Sequence, residues 1–335
     1  MTEILLLIQE YSFISALLIN TLLIVLIIHK SPSSMSYYKY LMIFMSVYQI
    51  LYSFASYLIH PEFSTEMFFC TLGTNTKRSS VPLSVATVLL LFCGSSLSFE
   101  VASFAVQFVF RYLIVIGNKT YTRGFSSVTA YCMVPIVASL IHALFFHFFL
   151  KLDDELDWMA RERISIKEGV ATSDIVIYGI TISSTARSGW MSIYAVGCTA
   201  VIVTTSFLVM LFFGIKAFLA IRKLSTRHSS SSKNFQFQLL YCLVFQAVLP
   251  IFFLHIPSSL INANLMSGTA DEIYGIIMTT AITIFPAVDS LPNLIIIKPY
   301  RETIKDAVRC LFKCKKLDVR GDESHMFTMR KSTTR

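Results

Sequence analysis

Apolar and polar positions separate along this chain into seven long, nearly uncharged runs joined by charged segments. The runs extend approximately from Ile4 to Ile28, Tyr40 to Ile59, Val81 to Ile114, Val128 to Leu150, Trp190 to Phe213, Phe237 to Ile261 and Tyr274 to Ile297. Each reaches or exceeds the roughly 20 residues an α-helix needs to cross about 30 Å of hydrocarbon. Seven such helices would leave a soluble domain too little polar surface to cover them. A membrane barrel would show alternating segments of about ten residues instead. The pattern predicts an all-α bundle of seven transmembrane helices. It assigns residues 1–314 to one membrane domain, with a short amphipathic helix at 300–314, and residues 315–335 to a disordered tail.

Composition agrees, with 55% apolar and only 14% charged residues. Charge then orients the bundle. The first, third and fifth connections and the C-terminal segment together carry 21 of the 28 Lys and Arg residues, and the opposite set carries 7. Basic loops remain cytoplasmic, so the N-terminus is expected outside and the C-terminus inside. Counting acids as well, the inner face carries +16 and the outer face −6. Membrane topology accounts for the net charge of +8 without nucleic acid, and the basic face suits anionic lipid headgroups or an acidic cytosolic partner. Glu3 and Glu10 are the only charges before Lys30. That is not the basic start of a cleaved signal peptide, so the first span is expected to be retained.

The longest outer loop, about Lys151 to Gly189, begins with Asp153, Asp154, Glu155 and Asp157, a run expected to be a solvated face. Only Cys70 of seven cysteines lies clearly in an outer loop, which predicts no disulfide there. Cys310 and Cys314 follow the last span beside Lys313, Lys315 and Lys316, where acylation is the natural modification. Asn118-Lys119-Thr120 is a glycosylation sequon placed on the inner side by this topology. No motif supplies a nucleophile with its base or a metal triad, so neither an enzyme nor a cofactor is expected.

Four segments carry a resemblance. They are "YYKYLMIFMSVYQILYSF" (Tyr37 to Phe54), "FVFRYLIV" (Phe108 to Val115), "QLLYCLVFQAVLPIFFLHIPSSL" (Gln238 to Leu260) and "IFPAVDSLPNLIIIKPYRETI" (Ile284 to Ile304). In this order and spacing the chain resembles the nematode serpentine chemoreceptors of the Str superfamily over nearly its full length. The resemblance implies a G-protein-coupled seven-helix receptor for small odorants, in the plasma membrane of chemosensory cilia, with a heterotrimeric G protein and membrane lipids as partners.

Individual residues are weighed separately. Arg111 and Tyr112 resemble the acid-Arg-Tyr triplet of rhodopsin-like receptors, but Phe110 stands where the acid would be. Arg111 reads as an anchor at the headgroup border and a G-protein contact. Lys216, Arg222, Lys223 and Arg227 beyond the fifth span, and Arg301 beyond the seventh, extend that inner surface. Glu100 and Asp289 lie near the membrane midplane, where an ionisable side chain is costly unless protonated, hydrated or hydrogen-bonded. Asn20 is the expected partner of Asp289, and Ser96, Ser103 or Gln107 of Glu100. Asp289-Ser290-Leu291-Pro292 resembles the family's Asp-Pro-Leu-Pro pattern, with Ser at the first Pro. Pro250, Pro286 and Pro292 are expected to bend the sixth and seventh helices. Asn20, Glu100, Pro250, Asp289 and Pro292 thus form the candidate switch. In the outer half, Trp190, Met191, Tyr194, Phe252, His255, Tyr274 and Met278 are the candidate ligand residues, suited to a small lipophilic molecule. A transporter or ligand-gated channel is the competing reading, although no inverted repeat is visible.

Overall fold

In the computed structural model, residues 2–32, 35–66, 69–79, 81–181, 187–223, 230–269 and 271–310 are described. The seven apolar runs form helices long and apolar enough to cross a membrane. The first four are Thr2–Lys30, Tyr38–Ile59, Leu83–Val115 and Phe125–Phe149. The fifth is Arg187–Lys223. The sixth runs from Ser230–Pro250 through a π-helical turn, Ile251–His255, into Ile256–Ser267. Glu272–Asp289 and, past a break at Ser290, Leu291–Ile296 make up the seventh.

Physical chemistry sets which faces turn inward. Large apolar side chains such as Leu18, Leu140, Leu208 and Phe245 point out of the bundle, as hydrocarbon permits. Ser46, Ser53, Ser95, Ser98 and Gln49 are buried, because small and polar residues let helices approach and bond one another. The third span is the hub, packing against the second, fourth, fifth and sixth. Ser95 and Ser139 share a 3.0 Å hydrogen bond between the third and fourth spans.

Pro250 and Pro292 fall where the regular ladder fails, whereas Pro286 stands inside the helix Glu272–Asp289. Pro250 closes the first part of the sixth span, and the chain widens at once into the π turn. A proline has no N–H for the ladder and crowds the preceding turn, so the helix must adjust here. Pro292 stands in the first turn after the Ser290 break, a position where its missing N–H costs nothing.

One element was not foreseen from the sequence. Strands β1 (Glu62–Glu66), β2 (Phe69–Asn75) and β3 (Ile175–Thr181) form an antiparallel sheet in the order β1-β2-β3. Cys70 pairs with Thr65 on one side and Ile180 on the other. The long loop supplies β3 and also a surface helix, Asp154–Glu168, with Asp154 and Glu155 exposed. Its acidic cluster is the first helical turn, where negative charge complements the helix dipole. Asp157 pairs with Arg161 at 2.6 Å, and Arg161 donates to the Ile175 carbonyl, fastening helix to sheet. The β3 end of the sheet is held by Gly179, whose N–H donates to Leu150 at the end of the fourth span, 2.8 Å.

At the opposite end, residues 298–310 are helical. Arg301 donates to the Ile295 carbonyl (3.0 Å), and the buried Tyr300 hydroxyl meets Ser31 Oγ at 2.7 Å. Arg227, Cys314 and the rest of 311–335 lie outside the described residues. Asn118 caps the short helix Lys119–Thr122.

The sheet docks on the seventh span through Gly275, where an added Cβ would lie 2.4 Å from the Phe63 carbonyl oxygen. Alanine ordinarily stabilises a helix interior by up to about 1 kcal/mol over glycine, but overpacking against backbone costs about 1–3 kcal/mol. Gly275→Ala is therefore expected to lower the melting temperature of the receptor in nanodiscs, measured by thermal unfolding.

Candidate functional site

Between the sheet and the bundle lies a cavity of about 470 Å³, within the range of small-molecule sites. Cys70 and Leu72 of β2 and Tyr178, Gly179 and Ile180 of β3 line it at the sheet end. Tyr52, Cys93 and Leu97 of the second and third spans line its deeper part. His142, Thr199, His255, Ser258 and Asn262 supply polar groups, and no Asp, Glu, Lys or Arg is among its lining residues within the described part of the chain. His142 Nε2 lies 3.3 Å from Thr199 Oγ1, joining the fourth and fifth spans. His142 Nδ1 and His255 Nε2 have no partner among the described residues. Burial pushes the Cys70 thiol up to about 12, so it is poorly reactive.

Of the candidate ligand residues, His255 and Met278 line this cavity. Trp190, Tyr194 and Phe252 instead project outward, 58%, 63% and 61% exposed. Helical phase explains this: Ala195 and Ser192 take the inward face of the fifth span, and the neighbouring aromatics turn to the lipid side. Met191 is half-buried without lining the cavity, and Tyr274 packs beside the buried group of Cys70, Ile261 and Leu265. Sequence reasoning missed His142, Thr199 and the strand residues, which come from the fourth span, the fifth span and loops that showed no strand alternation.

One helical turn below Tyr52 and Leu97, at Gln49 and Glu100, the spans are joined by a single amide. Gln49 Nε2 donates to Glu100 Oε1 at 2.9 Å and to Asp289 Oδ2 at 3.2 Å. It thereby ties the second span to both the third and the seventh. From the sixth span, Gln246 Nε2 donates to the Asp289 carbonyl at 2.9 Å and approaches its Oδ2 at 3.4 Å. Glu100 Oε2, Asp289 Oδ1 and Gln49 Oε1 have no partner among the described residues. Glu100 and Asp289 are 3% and 1% exposed. Two bare carboxylates sharing one amide in hydrocarbon would repel with nothing to neutralise them, so the arrangement requires proton or cation compensation.

These contacts correct two expected pairings. Asn20 does not reach Asp289; its Nδ2 donates to the Pro286 carbonyl at 3.1 Å and its Oδ1 accepts from Ser290 Oγ at 2.6 Å. The break at Ser290 frees that Pro286 carbonyl from the ladder, and Asn20 captures it. Glu100 is bonded by Gln49 across helices rather than by Ser96, Ser103 or Gln107 along its own. Gln107 accepts from Tyr38 instead, 3.1 Å.

Arg111 departs furthest from expectation. It is 0% exposed, not a headgroup-level side chain. Its Nη2 donates to the Gln236 carbonyl at 3.1 Å and to the Gln236 side-chain oxygen, and its guanidinium lies 5.5 Å from the Tyr38 ring centre. A neutral amide on the sixth span therefore latches the arginine, without the acid that Phe110 replaces. Arg111 Nε and Nη1 have no partner among the described residues. Tyr112 packs towards Phe213 with ring centres 5.6 Å apart. Arg222 and Lys223 are exposed on the fifth-span extension, whereas Arg301 is half-buried.

The seven-helix bundle has the fold of a rhodopsin. Squid rhodopsin superposes on it with a TM-score of 0.58, covering 92% of this chain and 86% of that one at 11% identity. Residues 5–305 match the family described as serpentine type 7TM GPCR chemoreceptor Str, and the chain belongs to that family. The Caenorhabditis elegans G-protein coupled receptor str-217 is 26% identical over 297 residues, 86% of this chain and 85% of that protein. A second C. elegans protein, G-protein coupled receptor str-33, is 25% identical over 122 residues, 36% of this chain and 34% of its own. The chain is thus a multi-pass membrane receptor and not an enzyme.

Removing Gln49 tests the carboxyl bridge. Gln49→Leu leaves both acids short of a donor, and an unmet buried polar group costs about 1–3 kcal/mol. Thermal unfolding in nanodiscs is expected to show a clear loss for Gln49→Leu and a smaller one for Glu100→Gln, whose amide oxygen still accepts from Gln49.

Proposed function

We propose that this receptor binds a small lipophilic odorant in the cavity beneath the sheet and activates a heterotrimeric G protein at the opposite, basic end. The sheet end then faces outward and the end carrying Arg222, Lys223 and Arg301 faces the cytosol, the orientation favoured by the basic loops. Family membership supports the chemosensory role, and the plasma membrane of a sensory cilium is its proposed location. Cys310, exposed at the last described turn, and Cys314 are proposed acylation sites holding the post-span helix to the membrane lipids.

The observation that carries the reading is the placement of the cavity one helical turn from the carboxyl bridge, along both the second and the third spans. His255 lies in the π turn that follows Pro250, so a ligand against it acts where the sixth helix yields most readily. Movement there changes the reach of Gln246 to Asp289. Ten residues further inward, about 15 Å on a helix, Gln236 holds Arg111. A ligand that favours the arrangement with this latch open shifts the receptor towards it. Arg111, Tyr112, Arg222, Lys223 and Arg301 would then meet the G protein. Asn20, Glu100, Asp289 and Pro292 act in this scheme as the packed polar joint against which the sixth span moves.

Expression in reporter cells with an odorant panel, recording G-protein activation and membrane current together, tests the assignment. The expected result is odorant-dependent nucleotide exchange with no current in cells lacking the G protein; ligand-evoked current that persists there would establish a channel instead. In the same cells Gln236→Ala is expected to raise basal exchange on the order of tenfold, since a hydrogen bond to a charged group is worth about 1.5–3 kcal/mol. Arg111→Gln is expected to abolish stimulated exchange at normal surface expression. An unchanged basal rate in Gln236→Ala would remove the latch from the mechanism.

A further inference from the structure

The cavity is not enclosed behind the fifth span. At about 100° per residue, the lining positions from Cys198 through Ala195 and Thr199 to Thr204 cover roughly 240° of that helix. Its buried positions Ala195, Met210, Ala217 and Ile221 occupy a much narrower arc. Cys198, Ala200 and Thr204 line the cavity and are also exposed, so the void passes both flanks of the helix.

On the flank towards the sixth span, the two helices part. The inner portion, Ser230–Pro250, packs on the fifth span, whereas the outer portion, Ile256–Ser267, packs mainly on the seventh span and β2. Ser258, Ser259 and Asn262 line the cavity on this side, with Ser259 exposed. Hydroxyl and amide groups beside an opening at membrane depth are costly against lipid and useful to a polar group on an incoming molecule. The sheet covers the other approach through Leu72, Tyr178 and Ile180.

We infer that the cavity opens sideways between the outer halves of the fifth and sixth spans, and that its ligands are uncharged, lipophilic molecules with a hydrogen-bonding group that arrive through the bilayer. Among the described residues the lining holds no Asp, Glu, Lys or Arg, so the groups it offers a ligand there are hydrogen-bonding and apolar ones. Partitioning into lipid concentrates such a molecule at the opening before it meets His255. This inference rests on the cavity being the ligand site.

Thiol labelling of the full-length receptor in nanodiscs tests the route without any odorant. The background carries Cys70→Ala, Cys93→Ala, Cys132→Ser, Cys198→Ser, Cys242→Ala, Cys310→Ser and Cys314→Ser, which removes every native thiol, and Ser258→Cys reports from the cavity. The probes are N-ethylmaleimide and a sulfonate-bearing maleimide, each normalised to its rate with glutathione. N-ethylmaleimide is expected to label at least tenfold faster, and Ala200→Trp or Thr204→Phe to slow it at least tenfold while leaving the melting temperature in place. Equal rates for the two reagents, or no slowing by either bulky residue in a folded receptor, would overturn the lateral route. Because labelling needs neither odorant nor G protein, its failure bears on the route alone. A receptor that labels as expected yet answers no odorant in reporter cells would count against the proposed function.

Discussion

A single primary amide, that of Gln49, holds two carboxyl groups from different helices at the centre of a bundle that has no hydrophobic drive to assemble. Lipid tails are as apolar as leucine, so the spans gain their specificity from close packing and from polar bonds that have no better partner. Glu100 and Asp289 can occupy this depth because Gln49 and Gln246 supply donors. Remove those donors and the acids become expensive. One oxygen on each acid has no partner among the described residues.

The other features acquire their meaning from this joint. The third span passes the cavity at Leu97, the joint at Glu100 and the latch at Arg111 in a single uninterrupted helix. The sixth span passes the same three levels at His255, Gln246 and Gln236, but through a proline and a π turn. A regular helix set against an interrupted one is a sound basis for a two-position element, since packed interfaces shift between discrete arrangements rather than deforming continuously. The latch is built from an amide where an acid is absent, which makes it a neutral acceptor for a buried cation. Such a bond is weaker than a paired charge and easier to release.

The seven helices were legible because hydropathy over about 20 residues is a strong signal, and the family resemblance was carried by motifs on four of them. Glu100, Asp289 and Pro250 stood out because charges and prolines are rare inside spans. Their partners did not stand out. Gln49 and Gln246 are ordinary residues in a hydrophobic run, and which acid they meet depends on helix rotation that a sequence does not state. Arg111 was misplaced for a related reason: a border arginine reads as solvated until the neighbouring helix is known to cover it. Trp190, Tyr194 and Phe252 were chosen by chemistry, whereas phase decided that they face out. The sheet was hidden because β2 is buried along its length and so lacks the alternation that marks a half-exposed strand.

A double-mutant cycle on the two acids bears most directly on the account, because the claim is that one amide couples them. Thermal stability would be measured in nanodiscs for the wild type, Glu100→Leu, Asp289→Leu and the double variant, so that each single change removes an acceptor of the Gln49 amide. Coupling through Gln49 predicts an interaction energy of about 0.5–3 kcal/mol between the two sites. Effects that add to within about 0.3–0.5 kcal/mol would mean that the third and seventh helices are not joined through this amide, and the account of the joint would fail.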